Sequence, residues 1–130
     1  RLYDKSKPNI FEIPETTNNY IGVDSKRAYY DYYFMVQEHP IDDDAIQVMI
    51  GEFIRENSEL ITSKFINSSS SVTFHFMKPS FRFPIYFEEN KSYFNMDDYV
   101  ENYLKTNEFV KVIFRDKPDN YEYIFYHDNY

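Results

Sequence analysis

Three histidines are the side chains of this sequence best suited to moving protons or binding a metal: His39, His75 and His127. Their spacing does not form a local metal signature such as two histidines one helical turn apart. If the strands that carry His75 and His127 are neighbours, the two rings form a metal or acid–base site with Asp31 or Asp128. We favour the simpler interpretation of unrelated strand histidines, and therefore expect no catalytic and no metal-binding residues.

Two acidic runs, 42–44 and 97–98, superficially resemble cation sites. A calcium loop of the EF-hand type needs oxygens at alternating positions around a glycine and a glutamate at its end, and both are absent. Aspartates are also favoured where a helix begins, because they cap its free amides and suit the positive end of its dipole. Both runs are therefore interpreted as helix starts.

Glycine and cysteine are nearly missing, which excludes several kinds of site. Two glycines in 130 residues cannot supply the loops that wrap nucleotide phosphates, nor the turn that exposes a hydrolase serine. The chain has no cysteine, so a thiolate nucleophile and cysteine-bound zinc are excluded. We expect no cofactor.

The charge of the chain limits its partners. A net charge of −8 and a pI near 4.8 argue against a nucleic-acid binder, which needs a cationic surface. They equally disfavour attachment to an anionic membrane, and no apolar run is long enough for insertion into a bilayer. An acidic surface steers a basic protein toward itself, so a basic protein is the partner we expect.

Aromatic residues are in excess, with 14 Tyr and 13 Phe. An AT-rich genome accounts for much of the tyrosine count, and core packing accounts for most of the phenylalanines. Tyrosine is nevertheless enriched at interfaces, because its ring packs while its hydroxyl stays solvated. The candidate partner surface combines tyrosines and carboxylates on predicted strands and the first helix: Tyr29, Tyr33, Tyr86, Tyr121, Tyr123, Tyr126, Asp31, Glu52 and Glu56.

The elements that position these residues follow from hydrophobic periodicity. The segment 27–37 is apolar on both alternating faces, which predicts a central strand. Apolar residues at helical spacing after Asp42 predict a helix to about Leu60. The remaining predicted elements are strands at 72–76, 81–88, 109–115 and 121–127, and a second helix that begins at Asn95.

This order predicts an α+β fold, a two-layer sandwich. We expect an antiparallel sheet of about five strands with two helices on one face, in a ferredoxin-like βαββαβ order plus a C-terminal strand. Residues 1–25 contain two prolines and no sustained apolar period, which indicates an extended arm or tether. Residues 26–130 form a single α+β domain.

The function that we expect is a noncatalytic domain that binds a basic protein. A small, acidic chain without catalytic signatures is similar in general character to bacterial immunity proteins, which neutralise toxins. The first alternative is the ectodomain of a secreted or lipid-anchored envelope protein. It is motivated by the start at Arg1, which suggests a trimmed or processed form and favours a secreted or periplasmic location. A small enzyme that uses histidine and carboxylates is the second alternative.

Overall fold

One mixed β-sheet and two consecutive helices form the part of the protein that the computed structural model describes, residues 5–13, 18–21, 27–65, 70–79 and 106–130. Both helices lie between the third and fourth strands in the sequence. The elements, in chain order, are β1 (Ile10–Glu12), β2 (Asn18–Ile21), β3 (Ala28–Val36), α1 (Asp43–Glu56), α2 (Ser58–Ser63), β4 (Ser70–Met77), β5 (Glu108–Arg115), β6 (Tyr121–Phe125) and a 3₁₀ helix (His127–Asn129).

β3 and β4 form the centre of the sheet, where they pair in parallel. β5 follows β4 and β6 follows β5, both antiparallel. On the other side of β3, β1 and β2 pair antiparallel with different halves of the same strand. Two pieces of the segment that we predicted to be an extended arm are therefore strands of this sheet. β3 can be central because both of its faces are largely apolar.

The hydrophobic core lies between one sheet face and α1. Phe34, Phe74 and their neighbours point toward the helix, where Ile46, Ile50 and Ile54 recur at helical spacing and are buried. The side chain of Asp42 caps α1, because its Oδ2 accepts a hydrogen bond from the Ala45 amide at 3.0 Å. This agrees with the predicted helix start.

The helical layer contains a break that the periodicity did not predict. α1 ends before Asn57, whose side-chain amide donates to the Phe53 carbonyl at 2.8 Å. A shorter helix, α2, then begins at Ser58. Asn57 satisfies a backbone carbonyl with its own side chain, which explains how the helix can stop inside an apolar periodic segment.

The α+β class and the two-layer architecture are confirmed, whereas the pairing of the central strands differs from the ferredoxin-like order. In that order another strand separates the two strands of the first β-α-β unit. Here β3 and β4 are direct neighbours, so the sheet is mixed and not wholly antiparallel. Strand periodicity identifies a central strand but does not specify its neighbour. The strand predicted at 81–88 and the helix predicted from Asn95 lie outside the described residues.

Candidate functional site

His75 lies in the middle of the sheet, on the face that does not carry the hydrophobic core. In β4 it is the direct partner of Tyr33 in β3 and of Lys111 in β5. Asp31 in β3 points to the same face, because it is two residues from Tyr33 in a strand. Acidic and basic side chains from three neighbouring strands are thus placed on one face.

A β-bulge adds Glu108 to this face. The register between β4 and β5 shifts after the pair Phe76–Val110, so that Met77 faces Glu108 and Phe109 is the extra residue. In an unbroken ladder Glu108 would point to the core face with Val110. The bulge reverses that alternation and turns the carboxylate toward His75.

The three residues form a buried hydrogen-bonded triad, which we call the central triad: Asp31, His75 and Glu108. The His75 Nδ1 lies 2.5 Å from Glu108 Oε2, and Nε2 lies 3.0 Å from Asp31 Oδ1. The Tyr33 ring stacks on the imidazole with a centroid distance of 4.5 Å and an angle of 9° between the planes. His75 and Glu108 are buried, and Asp31 is partly buried.

The triad favours a charged imidazole in spite of its burial. Desolvation is the largest influence on His75 and lowers its pKa, but the hydrogen bonds to Asp31 and Glu108 and the two negative charges together raise the pKa above 6.5. A protonated imidazole donates to both carboxylates, whereas a neutral one donates to only one. The geometry therefore places the imidazole between two carboxyl groups that both accept from its protonated form.

This geometry decides what His75 can do chemically. A general base or a metal ligand needs one ring nitrogen directed at the substrate or the metal. Both nitrogens of His75 are already bonded to carboxylates of neighbouring strands. Within the described ranges, moreover, no group of three or more His, Asp or Glu side chains is arranged to hold a metal ion. The central triad is thus suited to tie three strands together.

A second charged cluster joins the start of α1 to the residues after β6. His127 Nε2 lies 3.0 Å from Asp43 Oδ2, and the Tyr130 hydroxyl donates to Asp43 Oδ1 at 2.5 Å. The hydrogen bonds from Tyr130 and then from His127 lower the pKa of Asp43. The Tyr130 pKa is raised by burial and by the same carboxylate. His127 does not reach His75, because β5 separates β4 from the strand that leads to His127.

The helical layer carries most of the negative charge of the chain. Residues 38–59 contain seven acidic residues and one basic residue, Arg55, a net charge of −6 out of −8. Six of the seven carboxylate residues are exposed, and Asp43 is the partly buried one. Two apolar side chains, Ile41 and Val48, are 77% and 66% exposed in this segment. Single exposed apolar side chains are common on protein surfaces, and these two lie in a segment whose exposed charges are mostly negative.

The structure distributes the predicted partner-binding residues over both sheet faces. Tyr29, Tyr33 and Asp31 lie on the face of the central triad, where Tyr33 is buried. Tyr126 lies there too, and Lys111 Nζ is 5.8 Å from its ring centroid. The remaining described members, which lie on the helical side, are Tyr121, Tyr123, Glu52 and Glu56. Tyr86 lies outside the described residues.

Sequence reasoning found part of the central triad and missed the rest. The sequence hypothesis combined His75 with His127 and took Asp31 or Asp128 as the carboxylate, and it did not include Glu108. Strict alternation from Val110 directs Glu108 to the core face, so the strand period alone does not place it beside His75. The clue to a bulge was an acidic residue at a position that alternation assigns to the apolar core, next to the large apolar Phe109.

No protein-family model, curated protein or solved structure shows a significant match to this chain. In the portion that the structure describes, none of the helices has the length and apolarity needed to cross a membrane.

Proposed function

We propose that this chain is a noncatalytic protein-binding domain of the inhibitor type, which docks a basic protein through the outward side of α1. We call this the acidic helix surface and define it by Ile41, Asp44, Val48, Glu52 and Glu56. The observation that carries the proposal is the concentration of exposed carboxylates around two exposed apolar side chains in one helical layer.

The chemistry of this surface suits a cationic partner for two reasons. Negative potential accelerates the encounter with a basic protein and discriminates against acidic ones. Val48 lies one helical turn before Glu52, so an apolar contact and a carboxylate are presented side by side. Interfaces commonly place a small apolar contact inside a polar rim, and Val48 and Ile41 supply that contact.

The central triad supports a noncatalytic role. An enzyme based on His75 needs a free ring nitrogen, and both nitrogens are engaged at 2.5 Å and 3.0 Å by carboxylates. Opening either bond would leave a buried carboxylate without its cation. The observed geometry therefore favours the binding function over the enzyme alternative.

The experiment has two stages. The chain is first immobilised and used to capture proteins from its natural source, with elution by a salt gradient. The affinity of the captured protein is then measured for the original chain, for Glu52→Lys and for Asp119→Lys. The control makes the same change in net charge at an exposed position of the β5–β6 hairpin.

We expect the captured protein to be basic and to elute with salt. Glu52→Lys should weaken its binding about tenfold, or 1.4 kcal/mol, whereas Asp119→Lys should have a much smaller effect. Equal weakening by both variants would show that only the total charge matters. Binding that is insensitive to salt and to both substitutions would refute the proposal.

A further inference from the structure

Among the described residues, the outer edge of β6 has backbone hydrogen-bonding groups without a strand partner. The Arg115 amide donates to the Asn120 carbonyl at 3.0 Å, and the Tyr126 amide donates to the Phe109 carbonyl at 2.9 Å. Even-numbered residues of this strand therefore bond to β5. The amides and carbonyls of Tyr121, Tyr123 and Phe125 point the other way. Among the described strands, β6 pairs with β5 alone.

β6 lacks the devices that normally protect an edge strand. Its sequence, YEYIF, has no proline and no lysine, and its register with β5 is regular. Its charged residue, Glu122, is paired with Arg115 of the neighbouring strand. Tyr121, Tyr123 and Phe125 form a row with 6.0 Å between successive ring centroids, and Tyr121 is 44% exposed. Such an edge is a template for another strand.

The charges beside this edge are polarised along it. α1 runs alongside β6 in the opposite direction, since Asp43 contacts His127 while Gly51 lies next to the Tyr123 hydroxyl. Asp42 and Asp44 are therefore near the Phe125 end, together with Asp128. Toward the Tyr121 end, on the same helical side of the sheet, α1 places Arg55 near Tyr123.

We propose that β6 pairs with β6 of a second copy of this chain, in antiparallel orientation, to form one continuous sheet. A two-fold axis at Tyr123 places this residue opposite its own counterpart and Tyr121 opposite Phe125 of the second copy. The outward amides and carbonyls of these three residues then bond across the axis. The pairs formed on the helical side are aromatic, which is a stabilising cross-strand combination.

Charge complementarity favours a second copy as the occupant. Antiparallel pairing brings the aspartates at the start of α1 in one copy toward Arg55 of the other, twice by symmetry. Glu122 falls opposite Ile124 of the second copy, so no like charges face each other in the ladder. A parallel arrangement would bring the acidic ends together, and such like-charge pairing is unfavourable.

This interface shares Asp44 with the acidic helix surface but does not include Glu52 and Glu56. Gly51 lies on the side of α1 that faces β6. Successive residues of a helix are rotated by about 100° around its axis. Glu52 and Glu56 therefore point away from the β6 edge. Tyr121 and Tyr123 of the predicted partner-binding set then contact the second copy and not the basic protein. The dimer does not depend on the proposed binding function.

Sedimentation of the full 130-residue chain over a wide concentration range tests the proposal. The informative variant is Tyr123→Pro, which removes one outward amide and leaves the bonds to β5 intact. Its matched control is Tyr123→Ala, which loses the same ring but keeps the amide. We expect a dimer for the original chain, a weaker dimer for the alanine variant, and dissociation at least about tenfold greater for the proline variant than for alanine.

A monomer at all concentrations, or equal dissociation of the two variants, would overturn the proposal. If the proline variant does not fold, amide hydrogen exchange of the original chain replaces it. The amides of Tyr121, Tyr123 and Phe125 should be protected at high and not at low protein concentration. Exchange rates that do not depend on concentration would equally overturn the dimer.

Discussion

At the scale of single residues, the central triad is stable only as a set. The imidazolium of His75 compensates two carboxylates that are shielded from water, and each carboxylate compensates the imidazolium. Burying any one of these charges without its partners costs several kcal/mol. The stacked Tyr33 ring adds contact with the cation through its π face. Removing one member of the central triad is therefore expected to destabilise the fold.

His75→Gln should destabilise the fold by about 3–5 kcal/mol, because it leaves Asp31 and Glu108 buried together without a cation. Unfolding by urea at neutral pH measures this change. The control is His127→Gln, which removes an exposed partner of Asp43 and should cost less than about 1 kcal/mol.

A second variant separates charge from packing at the triad. In the His75→Gln background, Glu108→Gln removes one of the uncompensated charges and should recover part of the lost stability. No recovery would mean that the cost of His75→Gln comes from lost packing against Tyr33. Equal stability of His75→Gln and His127→Gln would contradict the argument altogether.

There is a physical reason why the sequence alone does not predict all three members of the central triad. Asp31 and His75 could be associated in advance, because alternation predicts which face each one occupies. Glu108 could not, since a bulge of a single residue reverses its orientation. A local change in backbone register has no effect on composition or period, but it decides which side chains meet.

At the scale of elements, the boundaries that depend on caps and turns were predictable. The start of α1 at Asp42 and the hairpin between β5 and β6 follow from local chemistry. The parallel pairing of β3 with β4 does not, because the alternation within each strand does not identify the strand beside it. Long-range pairing is a property of the whole sheet.

Asp42→Ala should destabilise the protein by about 1 kcal/mol, because the Ala45 amide loses the carboxylate that caps it. Thermal or urea unfolding measures the loss. Asp44→Ala is the matched control, since Asp44 is exposed in the first turn and provides only its charge to the helix dipole. Similar costs for both variants would assign the effect to the dipole and not to the cap.

Gly51→Ala should stabilise the protein by about 0.5–1 kcal/mol, the difference in helix propensity between the two residues. A glycine inside a helix often has a packing reason, such as the close approach of a neighbour. An added Cβ would instead meet Arg55 Nη1 at 3.8 Å and the Tyr123 hydroxyl at 3.9 Å, which are ordinary contacts. A loss of stability in urea unfolding would show that these two side chains cannot accommodate the methyl group.

At the scale of the whole molecule, charge is distributed unevenly between the two layers. The helical layer holds a net charge of −6 in residues 38–59, whereas the sheet contains the central triad, in which opposite charges are paired inside the fold. The first arrangement directs the protein toward a cationic partner. The second makes the stability of the sheet depend on the protonation of one histidine.

The free energy of unfolding should therefore fall as the pH rises above neutral. The folded-state pKa of His75 is raised above its ordinary value of 6.5, so folding favours the protonated ring. The stabilisation is fully present below pH 6.5 and is lost as the pH rises through the raised pKa. Among the described residues, Asp31, Glu108 and the cross-strand neighbour Lys111 are the charged groups next to His75 on this sheet face, and Arg115 and Glu122 form a pair further along it. The carboxylates of Asp31 and Glu108 accept the hydrogen bonds of the protonated ring.

Urea unfolding of the original chain and of His75→Gln between pH 6 and pH 9 measures this linkage. The difference in unfolding free energy between the two proteins should be largest at the acidic end and shrink toward pH 9, because a neutral His75 bonds to one carboxylate and leaves the other facing its lone pair. His127→Gln corrects for the exposed histidine. If the difference in unfolding free energy stays constant between pH 6 and pH 9, His75 does not titrate in this range. Its hydrogen bonds would then connect the three central strands without a change in charge.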